Sequence, residues 1–269
     1  MTDNYLVGEK SGNIYTITLN RPEKRNAIMV EMLTGICEMA ESQSVDPDIR
    51  AIILKGEGKI FSAGVDFNSL GAEVGACLGE AGAGGAPLRA LIYRFQQYFN
   101  RLEAVEIPII CAMHGRALGL GIELALACDI RLMSDDCIWA MPELRLGVIA
   151  DLGGTSRLAR LIGPSRTMEI FLTARDYTAR QALDWGLVNY IYPQGDLLAE
   201  AEKMAGDMAG TAPLAGGAVK KIIKRGDGVD LMTQLDMEAN HNSMLLRTED
   251  FQEGLTAMIE KRAAKWKKK

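Results

Sequence analysis

Three carboxylates in this chain sit where acids do chemistry, in mostly apolar stretches beside turns. Glu123 lies in His114-Gly115-Arg116-Ala117-Leu118-Gly119-Leu120-Gly121-Ile122-Glu123-Leu124, and Glu143 follows a proline in Trp139-Ala140-Met141-Pro142-Glu143-Leu144. Asp151 stands eight positions beyond Glu143, in Gly147-Val148-Ile149-Ala150-Asp151-Leu152-Gly153-Gly154-Thr155. A carboxyl withdrawn from water keeps its proton to higher pH than an exposed one, which suits it to proton transfer near neutrality. Other chemistries lack material. His114 and His241 are the only histidines, and His114 belongs to a turn, where it reads as structural. Cys37, Cys77, Cys111, Cys128 and Cys137 form no C-x-x-C and have no histidine at ligand spacing. They read as small core residues in a reducing compartment, and no metal site is expected.

The elements that must hold these acids follow from pattern. Alternation over 13–19 predicts a strand, 21–26 a turn, and helical spacing over 30–40 a helix. Residues 51–54 read as a buried strand and 61–66 as a loop. The glycine- and alanine-rich stretch 71–87 reads as a mobile surface loop, since no strand precedes it and no phosphate-type lysine follows. A helix is predicted over 88–102, a buried strand over 109–113, a helix from near Gly119 to Ala127, and short strands over 129–133 and 137–140. Gly153-Gly154 opens a helix that stops and restarts at Gly163-Pro164, Thr178 with Gln181 makes a capping box, and 188–192 reads as a strand. After Asp196 only helices are predicted: 197–208, 214–225, 231–246 and 251–264, with Lys265 onward a frayed, solvated end. The chain thus divides into a strand-and-helix body, 1–195, and a helical C-terminal part, 196–269.

Composition narrows the function classes. With 48% hydrophobic and 24% charged residues, the 269-residue chain can build a large core without disulfides. A net charge of -5 and no basic stripe argue against nucleic acid as a partner. The apolar run 107–112 is too short to span a membrane, and 117–127 is broken by glycines and Glu123. No signal-peptide pattern opens the chain, so a soluble, cytoplasmic protein is expected.

Taken in order, the motifs resemble the crotonase superfamily, the enoyl-CoA hydratase/isomerase family. They are Leu19-Asn20-Arg21-Pro22 with Asn26-Ala27, Phe61-Ser62-Ala63-Gly64-Val65-Asp66, Pro108, His114-Gly115, Gly119-Leu120-Gly121-Ile122-Glu123-Leu124 and Cys128-Asp129. Pro142-Glu143, Leu146-Gly147, Gly153-Gly154-Thr155 with Arg157-Leu158, Leu172-Thr173, Ala182 with Gly186-Leu187-Val188, and Glu260-Lys261-Arg262 continue them. The resemblance implies an α/β fold of repeated strand-strand-helix units wound into a right-handed spiral, with a C-terminal helical region for trimerisation. Trimers or hexamers are implied, as is an acyl-CoA thioester substrate with no separate cofactor.

By the same resemblance, the backbone N–H groups of Val65 and Leu120 form an oxyanion hole, and Glu123 and Glu143 match the two catalytic glutamates of the hydratases. Leu120 stands where many relatives have glycine, which alters pocket shape more than mechanism. Asp151 resembles instead the dienoyl-CoA isomerase branch, in which that aspartate works with the Glu143 position. The chain is therefore mixed, and hydratase and isomerase both stay open, with a non-catalytic or RNA-binding relative as a third reading. Ala63 and the stretch Val65-Asp66-Phe67-Asn68 border the CoA by this resemblance, Lys24 and Arg25 contact its phosphates, and Lys261 approaches it from the C-terminal region.

Overall fold

The structure is a computed structural model that describes residues 5–78, 85–226 and 228–269. Its strands, in chain order, are β1 (Leu6–Ser11), β2 (Ile14–Leu19), β3 (Ala51–Gly56), β4 (Ile109–Met113), β5 (Arg116–Leu118), β6 (Ile130–Ser134), β7 (Ile138–Ala140), β8 (Tyr177–Thr178) and β9 (Tyr190–Tyr192). The helices are α1 (Val30–Val45), α2 (Phe67–Leu78), α3 (Gly85–Ala104), α4 (Leu120–Ala127), α5 (Gly154–Ile162) and α6 (Pro164–Thr173). They continue with α7 (Ala179–Asp184), α8 (Leu197–Ala209), α9 (Pro213–Gly226), α10 (Leu231–Leu245) and α11 (Glu249–Glu260).

The larger sheet has the order β1-β2-β3-β4-β6-β9, and a smaller one the order β5-β7-β8. The β1–β2 hairpin is antiparallel, with Ser11 opposite Ile14, and every other pair in the larger sheet is parallel. Each turn of the chain gives one strand to the larger sheet, a short extended piece to the second layer, and then a helix. The turns are β3, the Ser62–Ala117 bridge and α2–α3; β4, β5 and α4; and β6, β7 and α5. This is the strand-strand-helix winding expected from the sequence.

Parallel sheets need cover on both faces, and the period-two alternation of β3 and β4 supplies apolar groups to both. Ile52, Leu54, Ile109, Cys111 and Met113 join the main core with Met32, Ile36, Phe99 and Leu124 from α1, α3 and α4. Ala51, Ile53, Ile110 and Ala112 face the other way and pack against Leu197, Ala201 and Ala205 of α8. The first helix beyond residue 196 therefore covers the outer face of the sheet. Cys37, Cys111, Cys128 and Cys137 are buried and Cys77 half-buried, and all five are free thiols.

Several segments depart from the sequence expectation. Leu6–Ser11 was not expected as a strand, because its edge position leaves all but its first residues exposed and so without an alternating pattern. Arg116–Leu118 is a strand of only three residues, too short to carry a periodic signal. The stretch 71–87 is not a surface loop where it is described: 71–78 continue α2 and 85–87 begin α3, while 79–84 lie outside the described residues. The chain end is neither helical after Glu260 nor frayed. Buried Asp250 accepts the Lys267 and Lys268 N–H groups at 2.6 and 3.0 Å, and Arg50 Nη2 donates to the Trp266 carbonyl at 3.0 Å. Trp266 Nε1 donates to the Gly210 carbonyl at 2.9 Å.

Candidate active site

Helix α4 is buried at all eight positions, and Glu123 is its one ionisable side chain, 4% exposed. A helix apolar on every side belongs in an interior, so this glutamate reaches the core with it. Its Oε1 accepts the N–H groups of Leu152 at 3.0 Å and Gly154 at 2.8 Å, where α5 begins. Gly154 is needed for that approach, since a Cβ there would lie 2.9 Å from Oε1. Burial pushes the Glu123 carboxyl up from 4.5 to about 8; the Gly154 N–H opposes the rise, and the charges of Glu143 and Asp151 add to it. These surroundings favour the protonated form of Glu123. With Oε1 serving as acceptor, that proton belongs on Oε2.

Glu143 arrives from another direction. Pro142 ends the β7 segment and begins a 3₁₀ turn, Glu143–Leu146. The carboxylate folds back against Gly119, where a Cβ would stand 2.6 Å from Glu143 Oε1. Oε2 is buried and has no hydrogen-bond partner among the described residues. Burial raises the Glu143 carboxyl, opposed by its own backbone N–H and reinforced by the Asp151 charge. A buried oxygen that the protein leaves unsatisfied is costly unless water or a ligand meets it.

Asp151 follows the buried Ala150 in the turn before α5, with its carbonyl held by Gln96 Nε2 at 2.7 Å. Burial raises its carboxyl, with its own backbone N–H opposing. It borders a cavity of about 630 Å³ shared with Ile149, Leu152 and Arg157. Burial raises all three carboxyls; the charges of Glu143 and Asp151 reach Glu123, and that of Asp151 reaches Glu143.

Two loops converge beside these acids. The Leu118 N–H donates to the Ser62 carbonyl at 3.1 Å, and a Cβ on Gly64 would lie 3.0 Å from the Leu118 carbonyl oxygen and 3.7 Å from the Leu120 nitrogen. Gly64 takes φ 94°, a backbone state open to glycine. The bridge from this loop to Ile28 uses the Gly64 carbonyl and the Asp66 N–H, so the Val65 N–H points away from it. Leu120 is the first residue of α4, one of the N-terminal amides a helix leaves without an internal acceptor. Two neighbouring segments therefore present amides suited to one negatively charged oxygen.

A cleft of about 960 Å³ leads from the Val65 loop, lined by Tyr5, Asn20, Arg21, Lys24, Asp66, Asn68, Ser69 and Glu73 among others. Lys24, Asp66 and Asn68 thus lie where a long ligand could run. The other sequence candidates stand differently. Arg25 takes a left-handed turn at φ 53°, and its carbonyl accepts the Ala63 N–H at 2.9 Å, so both shape the loop through their backbone. Phe67 begins α2 and is 62% exposed. Lys261 ends α11 at φ 53° and does not line this cleft. Asp66 is occupied: Arg21 Nη1 pairs with its Oδ2 at 2.9 Å, while Oδ1 accepts the Asn68 and Ser69 N–H groups. That pair holds the Asp66 carboxyl below its usual range. Arg21 was missed as a cleft residue. Its one sequence signal was its place beside Pro22, and its partner is 45 positions away. Glu73 lies in the stretch 71–87, whose glycines predict a loop, and Ser69 just before it carries no sequence signal for the cleft. His114 Nε2 meets the Gly58 carbonyl at 2.9 Å, a structural contact.

The sequence profile of the family described as Enoyl-CoA hydratase/isomerase matches residues 9–269. A short-chain-enoyl-CoA hydratase of Clostridium acetobutylicum is 34% identical over 260 residues, covering 96% of each chain. A mitochondrial Delta(3,5)-Delta(2,4)-dienoyl-CoA isomerase of Rattus norvegicus is 35% identical, covering 94% of this chain and 78% of its own. The crystal structure of an enoyl-CoA hydratase from Bacillus anthracis superposes with a TM-score of 0.88 at 31% identity, covering 98% of this chain and all of the other.

Proposed function

The chain belongs to the enoyl-CoA hydratase/isomerase family, and on that premise we propose that it adds water across the 2,3 double bond of a 2-enoyl-CoA. The observation that carries this reading is the pair of buried glutamates, one anchored by two amides and the other with an oxygen that the fold leaves unmet. Glu123 is pinned through Oε1 by the Leu152 and Gly154 N–H groups, and Glu143 Oε2 has no partner among the described residues.

In this reading the thioester oxygen accepts the Val65 and Leu120 N–H groups. Negative charge that develops there is stabilised, each such donor being worth roughly 3–4 kcal/mol of barrier. Water sits between the carboxyls. As its oxygen bonds to Cβ, the anionic carboxyl of the pair takes its proton and the protonated one delivers a proton to Cα. The π bond is replaced by C–O and C–H bonds, and the pair still holds one proton. The cleft beside Arg21, Lys24 and Asn68 takes the CoA moiety, and no further cofactor is required. Hydration of crotonyl-CoA by Glu143→Gln should fall about 10²–10⁴-fold; an undiminished rate would end the proposal.

A second reading rests on Asp151, whose charge acts on Glu143. Two acids flanking a conjugated thioester can move a proton from one end of a diene to the other, the dienoyl-CoA isomerase reaction. We also propose a homotrimer, alone or paired into a hexamer. No residue of α10 is buried, and Leu231, Met232, Leu235 and Met244 on it, with Leu255, Met258 and Ile259 on α11, are exposed apolar groups that a second copy would cover. Among the described residues no helix is long and apolar enough to cross a membrane; we place the enzyme in the cytoplasm.

A further inference from the structure

The turn that holds Glu123 is itself held by a side chain of α5. Leu152 and Gly154 donate to Glu123 Oε1, and the carbonyl lying between those two amides, that of Leu152, accepts from Arg157 Nη1 at 3.0 Å. The guanidinium lies where a side chain on residue 153 would go: a Cβ there would stand 1.8 Å from Nη1. Gly153, at φ 110° and ψ 0°, supplies both the turn and the space. We propose that Arg157 is a positioning residue for the proton-transfer site, setting the two amides that fix Glu123 and hence how readily that carboxyl gives up its proton.

Arg157 is placed by more than its contact with Leu152. Its Nε and Nη2 grip Glu103 Oε2 at 3.3 and 3.0 Å, and Nη2 also meets Asn100 Oδ1 at 3.0 Å. The second oxygen of Glu103 is held by Lys224 Nζ at 3.1 Å. A chain of contacts therefore runs from α9 through Glu103 on α3 and Arg157 on α5 to the peptide that anchors Glu123. The planar fork of arginine spans Glu103 and the Leu152 carbonyl at once, whereas a lysine ammonium is a single point charge on a flexible stem. Arg157 is 17% and Glu103 25% exposed, so the pair is shielded enough to hold one geometry.

This inference rests on the reading of Glu123 as a proton-transfer group, and the experiment separates the two. Arg157→Lys and Lys224→Met are compared with the parent and with Glu123→Gln. The first readout is kcat and KM for crotonyl-CoA. The second is the protonation of Glu123 followed by infrared difference spectroscopy across pH, its band identified by absence in Glu123→Gln. Misplacing a catalytic group by about 1 Å costs on the order of 10²-fold. Arg157→Lys should therefore lose about that in kcat with KM little changed, and its Glu123 band should titrate at higher pH, since weakened N–H bonds favour the neutral acid. Lys224→Met should move both readouts in the same direction by less. If Glu123→Gln is inactive while Arg157→Lys folds, keeps the parental kcat and titrates as the parent does, Arg157 has no positioning role. If Glu123→Gln is as active as the parent, the reading of Glu123 fails first.

Discussion

Replacing Glu123 by glutamine should make the protein both inactive and more stable, by an amount that grows with pH. Folding lifts this carboxyl from 4.5 to about 8, chiefly by burial. A group whose proton affinity is raised on folding contributes its full stability below its unfolded pKa and loses it as pH climbs to the folded one. Below pH 4.5 both states of the parent hold the proton, and glutamine should change little. Between pH 4.5 and 8 the unfolded parent releases its proton while the folded parent keeps it, so the folded state is progressively penalised. At about 1.4 kcal/mol per pH unit the penalty is roughly 3 kcal/mol at pH 7 and roughly 5 kcal/mol above pH 8.

Glutamine does not titrate, and its side-chain carbonyl can still accept the Leu152 and Gly154 N–H groups. The penalty should vanish while the anchor survives. Urea unfolding at pH 5, 7 and 9, at matched protein concentration, measures the difference directly, and hydration of crotonyl-CoA supplies the activity. Stability differences of opposite sign at pH 9, or equal at pH 5 and 9, would show that Glu123 is not held neutral by its surroundings. The assigned electrostatics of the whole cluster would then be wrong.

Gly119→Ala puts a Cβ 2.6 Å from Glu143 Oε1 in a backbone state of φ 48° and ψ −115°; kcat should drop about 10²-fold as Glu143 is displaced, with about 1–3 kcal/mol of destabilisation in thermal melts. Asp151→Asn separates the two reactions: hydration of a 2-enoyl-CoA should persist, while any migration of double bonds in a 3,5-dienoyl-CoA, followed by its ultraviolet absorbance, should disappear. Arg21→Met removes the 2.9 Å pair with Asp66 that steadies the cleft wall. Calorimetric binding of CoA should weaken by about 10-fold, on the order of 1.4 kcal/mol, with kcat at saturation retained; unchanged binding would place CoA elsewhere.

The acids were legible in the sequence because each sits in a locally contradictory setting, a charge among apolar residues behind a glycine or proline. The winding of the body was legible for a similar reason, since β3 and β4 are apolar at every position or nearly so and can only be interior. Helix α2 was not. Glycine costs a helix roughly 1 kcal/mol relative to alanine, so Gly71 and Gly75 within eleven residues of Phe67 looked like loop chemistry. The compensation is tertiary: Asp66 caps the first turn through Asn68 and Ser69, Leu70 and Val74 pack against the core, and Glu73 pairs with Arg94 of α3. The ordered chain end was illegible for the same reason. Asp250 and Arg50, which bind residues 266–268, lie 17 and 216 positions away from their partners. Arg157 stood in a quoted motif, but its grip on the Leu152 carbonyl needs the bend at Gly153, which letters alone do not show.

How helices begin in this protein ties these points together. At α7, α10 and α11, away from the acids, the side chains of Thr178, Asp230 and Thr248 bond the first free amides. At α4, α5 and α6 the preceding residue is glycine and no side chain caps the helix, and α1 and α8 also begin without a side-chain cap. A glycine in place of a serine or aspartate cap gives up only roughly a few tenths of a kcal/mol, so α4 and α5 lose little by starting uncapped. Their amides have other uses. Those of Leu152 and Gly154 at α5 hold Glu123, and that of Leu120 at α4 stands beside the Val65 loop. A cap at either glycine would fill the amides from within. The same two glycines admit the side chains that matter, Glu143 against Gly119 and Arg157 against Gly153. What sets α4 and α5 apart from the other uncapped helices is therefore what their first amides and preceding glycines meet, the Glu123, Glu143 and Arg157 side chains, and not the missing cap itself.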